Sequence, residues 1–340
     1  FSSTFAHADI SDEIAELKQM MYQMQDRIEQ LEYENRQLKV QQTETDVSVQ
    51  SSSEIDQSMN RFNPAISVIG DTTYQWADNG EGAQDTSEFT FRELEIAFSA
   101  NIDTYARGDV YVAIENEDGE TEVALEEAYL TWLEPPLDGA QAKVGKFRPA
   151  FGKANRAHLH SLSWVDYPKV IQEYLGEEGF SREGVSASYL LPIHSFYSEI
   201  TGEVMNDGVA DNNDFAYLGH WKNFFDLNEE LSLEFGGSYL AQQNGESESS
   251  MTDLMGIDLT LKWTNPTADQ RFISQTEVFN SEAEVFGADD VDAWGAYSSM
   301  EYWWSKRWGA FGRYDVWQEL TDTSLETNSY SAGLTFAQSE

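Results

Sequence analysis

The chain contains no cysteine. A disulfide framework, a thiolate metal site and a cysteine nucleophile are therefore all excluded. Positive charge is scarce: 20 Lys and Arg stand against 61 Asp and Glu, for a formal net charge of -41 over 340 residues. That balance excludes nucleic acid or an anionic lipid surface as a partner bound by charge. No apolar run approaches the ~18 residues that a membrane helix needs. Helical spans are excluded, but alternating strands, which keep mean hydropathy low, are not. Catalytic signatures are missing too. There is no phosphate-cradling glycine loop, and neither His194 nor His220 sits in a recognisable Ser/His arrangement, so no enzymatic activity is expected.

Aromatic residues, by contrast, make up 13% of the chain. Disordered acidic chains are poor in aromatics, so this one is built to fold. Its first segment reads as helix. Ala6-His7-Ala8 resembles the end of a secretory signal, which sets the start of the mature segment at Asp9. From there to Lys39, apolar residues recur at alternating gaps of three and four, the 3.5-residue period of a left-handed coiled coil. Ile14, Met21, Ile28 and Asn35 take one seam position; Leu17, Met24, Leu31 and Leu38 take the other. Arg27 and Glu32 pair between parallel neighbours. Asn35 in the seam leans toward a dimer, whereas Arg27-Ile-Glu-Gln-Leu-Glu32 resembles the Arg-containing pattern of three-stranded coiled coils, and the helix alone leaves both open. Residues 40–61 are polar, rich in Ser and Gln and without period, which predicts a flexible linker.

Residues 62–340 alternate in polarity with a period of two. Met255, Ile257, Leu259, Leu261 and Trp263 share one face, and Gly256, Asp258, Thr260 and Lys262 the other. The runs at 231–239, 184–191 and 330–336 repeat the pattern. Charges in mid-strand on the polar face (Asp109, Glu203, Asp258, Lys262, Glu277, Glu301 and Arg313) suit a wet lumen and are costly in a dry core. Trp303, Trp304 and Trp308 flank a turn, as in an interfacial girdle. The expected fold is an all-β transmembrane antiparallel barrel with fourteen strands visible, and sixteen if a final hairpin follows Glu340. Connections alternate short and long. With a periplasmic N-terminus, the extracellular set is 78–87, 116–121, 149–179, 206–214, 243–250, 281–291 and 319–327.

The third of these, 149–179, is the longest, and it follows Val144-Gly-Lys-Phe-Arg-Pro-Ala-Phe-Gly152. This stretch resembles the strand end that precedes the inward-folding loop of the phosphate-selective porins. The resemblance implies a homotrimeric sixteen-stranded barrel in the outer membrane of a Gram-negative bacterium, in contact with lipid and lipopolysaccharide. It also implies that the loop constricts the pore, with a coiled coil reaching toward the cell wall. The expected constriction residues are Lys146, Arg148, Lys153, Arg156, His158, His160 and Asp166. Phe62 to Ser67 (FNPAIS) and the H-x-H at His158 and His160 resemble uncharacterised barrels, some linked with zinc uptake. Two imidazoles with Asp166 could hold a divalent cation, the one cofactor the sequence suggests. The expected function is passive diffusion of small hydrophilic solutes or ions, with a modest cation preference. The alternatives are an envelope-tethering barrel or adhesin, and a phosphate- or zinc-related specific channel.

Overall fold

The computed structural model describes residues 64–77, 86–117, 120–207, 214–243, 250–285, 289–320 and 322–337. The predicted coiled coil, 9–39, and linker, 40–61, lie outside the described residues. The chain divides at Asn63/Pro64, and Pro64–Glu340 is a unit of its own. It is a meander of fourteen strands, each paired antiparallel with its neighbour in sequence. In order they are β1 Ala65–Ala77, β2 Thr86–Asn101, β3 Ala106–Glu117, β4 Glu120–Trp132, β5 Ala140–Phe147, β6 Arg182–Leu190, β7 Tyr197–Asn206, β8 Phe215–Asp226, β9 Leu231–Gln243, β10 Met251–Asn265, β11 Gln270–Ala283, β12 Val291–Trp303, β13 Trp308–Glu319 and β14 Asp322–Phe336. One helix, α1 (Lys169–Leu175), lies in the β5–β6 connection.

The two faces of the sheet differ as the alternation requires. Val68, Phe89, Val123, Val185, Tyr217, Ile257, Met300, Tyr330 and Leu334 all point outward and are exposed. An apolar surface running through β1 to β14 has no stable place in water, and it fits the acyl chains of a bilayer. The other face carries the polar set and is covered by the β5–β6 connection. Closure of the sheet follows from two consecutive residues of that connection. The Val165 carbonyl accepts a hydrogen bond from Arg92 of β2, and the Asp166 carbonyl accepts one at 2.8 Å from Arg313 of β13. In a flat sheet these strands would stand about 50 Å apart, given ~4.8 Å between neighbours. The sheet must curl around the connection, so the fold is a transmembrane-type β-barrel with an insert in its lumen. The core lies between the insert and the inner wall. Phe151, Trp164, Tyr167, Val170 and Ile171 of the insert pack on Met205, Leu218, Leu240, Leu254, Phe279 and Tyr297 of the strands.

Three expectations need correction. The connections at 116–121 and 319–327 are not long: pairing continues to Glu117↔Glu120 and Glu319↔Asp322, because backbone ladders persist beyond the apolar band. Trp303 is not part of an outer girdle. It shares the inner face with Glu301, is 7% exposed, and lies under the Arg271 guanidinium at 4.4 Å, while Trp304 and Trp308 do face outward.

The outward band generates a test. Ile257, near the middle of β10, is 56% exposed. Ile257→Arg should cost about 2–4 kcal/mol of folding stability in lipid vesicles, read by urea titration. A water-facing position would tolerate it within about 0.5 kcal/mol, and a change that small would contradict a membrane-facing wall.

Candidate functional site

A 34-residue connection between β5 and β6 lies inside the barrel, where its backbone cannot reach bulk water freely. Each buried N–H there needs an acceptor. The wall supplies carboxylates. Glu127 accepts from Arg148 N at 3.0 Å, Glu203 from Ala150 N at 3.0 Å, and Asp315 from Lys169 N at 2.9 Å. Glu277 takes two, from Lys153 N at 3.0 Å and Ala154 N at 2.8 Å, and also accepts the Tyr297 hydroxyl. Ser238 Oγ completes the row by accepting from Gly152 N at 3.0 Å. Each bond removes an orphan donor and supplies a buried carboxylate with partners. Gly152 is required for this approach. Its φ is +60°, and a Cβ there would lie 2.1 Å from Glu277 Oε2. Asn155, fully buried, ties the insert's two ends together: its side-chain oxygen accepts from Phe180 N at 2.7 Å and its amide donates to the Pro149 carbonyl at 3.2 Å.

The expected lumen charges therefore share one face but not one role. Glu203 and Glu277 lie under the insert, bonded to its backbone. Glu301 accepts the Ser163 hydroxyl at 2.5 Å, and Asp109 binds Ser99 at 2.7 Å and Arg107 at 2.8 Å. Asp258 is buried, 3% exposed, and Lys262 on the same strand is exposed. The Arg313 side chain is fully buried between Asp315 at 2.8 Å and Asp166 at 3.0 Å.

The expected constriction set separates in the same way. Lys146 is on the outward face of β5 with Val144, and its ammonium donates to the Leu125 carbonyl at 2.6 Å. The inward basic residue of that strand is Lys143, whose ammonium sits 4.3 Å over the Tyr129 ring. Strand alternation makes the exchange unavoidable, since adjacent residues point to opposite faces. Arg148 is buried and donates to the Glu178 carbonyl at 2.8 Å. Lys153 pairs with Glu234 at 2.9 Å. Arg156 is exposed, and among the described residues its guanidinium makes no ion pair. With Lys143, Lys222, Tyr197 and Glu199 it lines a polar cavity of about 250 Å³ beneath the insert. Asp166 does not join the histidines. It pairs with Arg313 and, at 2.9 Å, with Lys169. Burial opposes its ionisation, but the Lys169 hydrogen bond and the Arg313 charge hold the carboxyl below its ordinary range.

His158 and His160 meet a different set of carboxylates, on β2 and β4. His158 Nδ1 lies 2.6 Å from Glu126 and 3.0 Å from Glu95, and its Nε2 lies 2.7 Å from Glu127. Its ring stacks on Tyr111, centroids 4.8 Å apart. Burial works against charge on this imidazole, yet the three carboxylates outweigh it and push its pKa up to about 11. Two neighbouring residues of one strand can face the same histidine because β4 bulges. Tyr111 pairs with Glu127 and Val112 with Leu125, leaving Glu126 as the extra residue. The sequence reading missed Glu93, Glu95, Glu126, Glu127, Lys143 and Asp315. A doubled Glu126-Glu127 within an alternating strand was the one available sign of the bulge.

No family model matches the chain. An uncharacterized protein of Aquifex aeolicus (strain VF5) is 30% identical in an alignment 203 residues long that covers 52% of this chain and 42% of that protein. The chain thus spans less than half the length of this curated relative. Among solved structures, it is similar to the outer-membrane channel DcaP of Acinetobacter baumannii (11% identity, 80% of this chain and 96% of that one, TM-score 0.48). An anion-selective porin from Comamonas acidovorans is similar at 11% identity over 80% of this chain and 99% of that one, TM-score 0.44. At these values the likeness adds nothing to what strand pairing already establishes.

The row of wall carboxylates predicts how the insert is released. Glu277→Ala leaves the Lys153 and Ala154 N–H groups without acceptors, at about 1–3 kcal/mol each. Trypsin should then cut after Lys153 or Arg156 in the detergent-solubilised protein while strand content is unchanged. Gly152→Ala should do the same through its clash. Resistance equal to that of the parent protein in both variants would show that these bonds do not hold the insert.

Proposed function

We propose that this chain is an outer-membrane porin, a passive diffusion channel for small hydrophilic solutes or ions, in which residues 149–179 form the constriction. The observation that carries this is the insert itself. It is held within the barrel by wall carboxylates, and its underside presents Arg156 to a polar, water-accessible cavity beside Lys143 and Lys222. A plug needs no solvated charges on its surface; a constriction uses them to sort solutes. The wall acids are mostly engaged elsewhere, Glu277 by the insert and Glu301 by Ser163 and Trp303. We therefore base the modest cation preference on the long-range field of a chain with net charge -41, opposed locally by the basic strip around Arg156. A homotrimer, with the N-terminus periplasmic and the heptads of 9–39 forming a stalk toward the cell wall, completes the proposal. It rests on the spacing of Ile14 to Leu38 and on Arg27 and Glu32.

Planar-bilayer recording tests this. Deleting residues 155–170 should raise single-channel conductance severalfold with the barrel still folded. In a salt gradient the parent channel should show a reversal potential of cation-selective sign that shrinks at high ionic strength, and Arg156→Glu should enlarge it. Silent membranes with both proteins would favour an anchoring barrel. The same preparation should weigh as a trimer in mild detergent; a monomer or dimer would remove the trimer from the proposal.

A further inference from the structure

The insert meets β2 and β4 through a group of side chains that the channel reading does not use. We propose that His158, His160, Glu95 and Glu126 form a binding site for one divalent first-row transition cation, oriented by Glu127 and joining the insert to two wall strands.

Geometry supplies the donors. Glu95 Oε2 lies 3.0 Å from His158 Nδ1 and 3.6 Å from His160 Nδ1, and Glu126 Oε2 lies 2.6 Å from His158 Nδ1. A tetrahedral ion bonded at ~2.0–2.2 Å holds its donors roughly 3.3 Å apart, a value the three distances bracket. Glu95, Glu126 and His158 offer one ligand atom each within 4.8 Å of one another, as do Glu93, Glu95 and His160. The two groups share Glu95 but do not form one set of four, so an ion held by Glu95, Glu126 and His158 gains His160 only when that side chain turns in about its own torsions.

Two of the four donors are also unspent, while His158 Nδ1 and Glu126 Oε2 hydrogen-bond each other at 2.6 Å. Glu95 is 2% exposed, yet its Oε2 receives no hydrogen bond of acceptable geometry; what it faces are the two imidazole Nδ1 atoms. The Nδ1 of His160 is buried and without a hydrogen bond as well. Inward-aimed polar atoms of this kind, one of them on a side chain almost wholly removed from water, are costly unless something binds between them. The wider shell has the form metal sites use. His158 Nε2 faces Glu127 Oε1 at 2.7 Å, which fixes a proton on Nε2 and turns the Nδ1 lone pair toward Glu95 and Glu126. Formal charge agrees: Glu93, Glu95, Glu126 and Glu127 gather four carboxylates, and the ion pair with a basic side chain here is Arg148 with Glu126 at 3.9 Å, with Lys143 near Glu127. Two imidazoles with carboxylates suit zinc, nickel or copper better than calcium or magnesium, which take oxygen alone. The rival occupant of the same space is the protonated His158 ring acting as its own cation.

Metal binding separates the two, and it does so whether or not the barrel conducts. The full chain in mild detergent, stripped with chelator, is dialysed against zinc ion alone and its metal content measured. One equivalent per chain is expected, not displaced by a hundredfold excess of magnesium or calcium. Glu95→Gln and His160→Gln should each weaken binding at least tenfold, and Glu127→Gln by about 10–100-fold through loss of orientation. His160 Nδ1 makes no hydrogen bond, so its replacement removes none of the fold's own bonds there. No retained zinc in the parent protein, or retention that His160→Gln and Glu95→Gln leave unchanged, would overturn the site.

Discussion

An irregular chain segment enclosed by a barrel must find acceptors for its own backbone N–H groups, and most of what is specific to this protein follows from how it does so. The strands satisfy one another through their ladders. The insert has only short turns, at Ala154–Arg156, Leu159–Ser161 and Lys169–Leu175, and these cannot satisfy it internally. Its donors are met by Glu127, Glu203, Glu277, Asp315 and Ser238, side chains spread from β4 to β13. One segment therefore touches most of the inner wall, and the packing of Phe151, Trp164 and Ile171 against that wall is fixed by the same contacts.

This division of labour changes what the acidity of the lumen means. A carboxylate capped by two peptide N–H groups is a strut, and its charge is largely spent on the donors that hold it. Arg313, enclosed by Asp315 and Asp166, is a strut of the opposite sign. Charges that line the cavity beneath the insert differ from those that alternation alone selects: Lys143, Arg156 and Lys222, with Glu199 beside them. Holding the insert and facing the cavity thus fall to largely separate subsets of one polar face. The His158 group is a third subset, in which donors crowd one point rather than one backbone.

Much of the barrel was legible in the sequence, because period-two alternation is a direct consequence of strand geometry. Met255 to Trp263 showed its outward face without ambiguity, and Asp258 and Glu277 do share the inner one. Lys146 was misplaced because a motif was read as a block, whereas within a strand it must alternate with Lys143. Asp166 was grouped with the histidines by nearness in sequence, but a loop that crosses a lumen sends neighbours to opposite walls: Val165 to β2, Asp166 to β13. Glu95 and Glu126 were invisible as partners of His158 because their proximity depends on closure of the sheet and on one bulged residue. Such contacts are set by tertiary geometry, and no local pattern encodes them.

The central claim is that the insert, held by the wall, narrows a water-filled path with Arg156 at its edge. The chain has no cysteine, so Arg156→Cys would be the sole thiol. Single-channel current through that variant is recorded while a bulky charged thiol reagent is added. The account predicts a stepwise fall in current that a reductant reverses. Unchanged current through channels whose modification is verified by mass would contradict it.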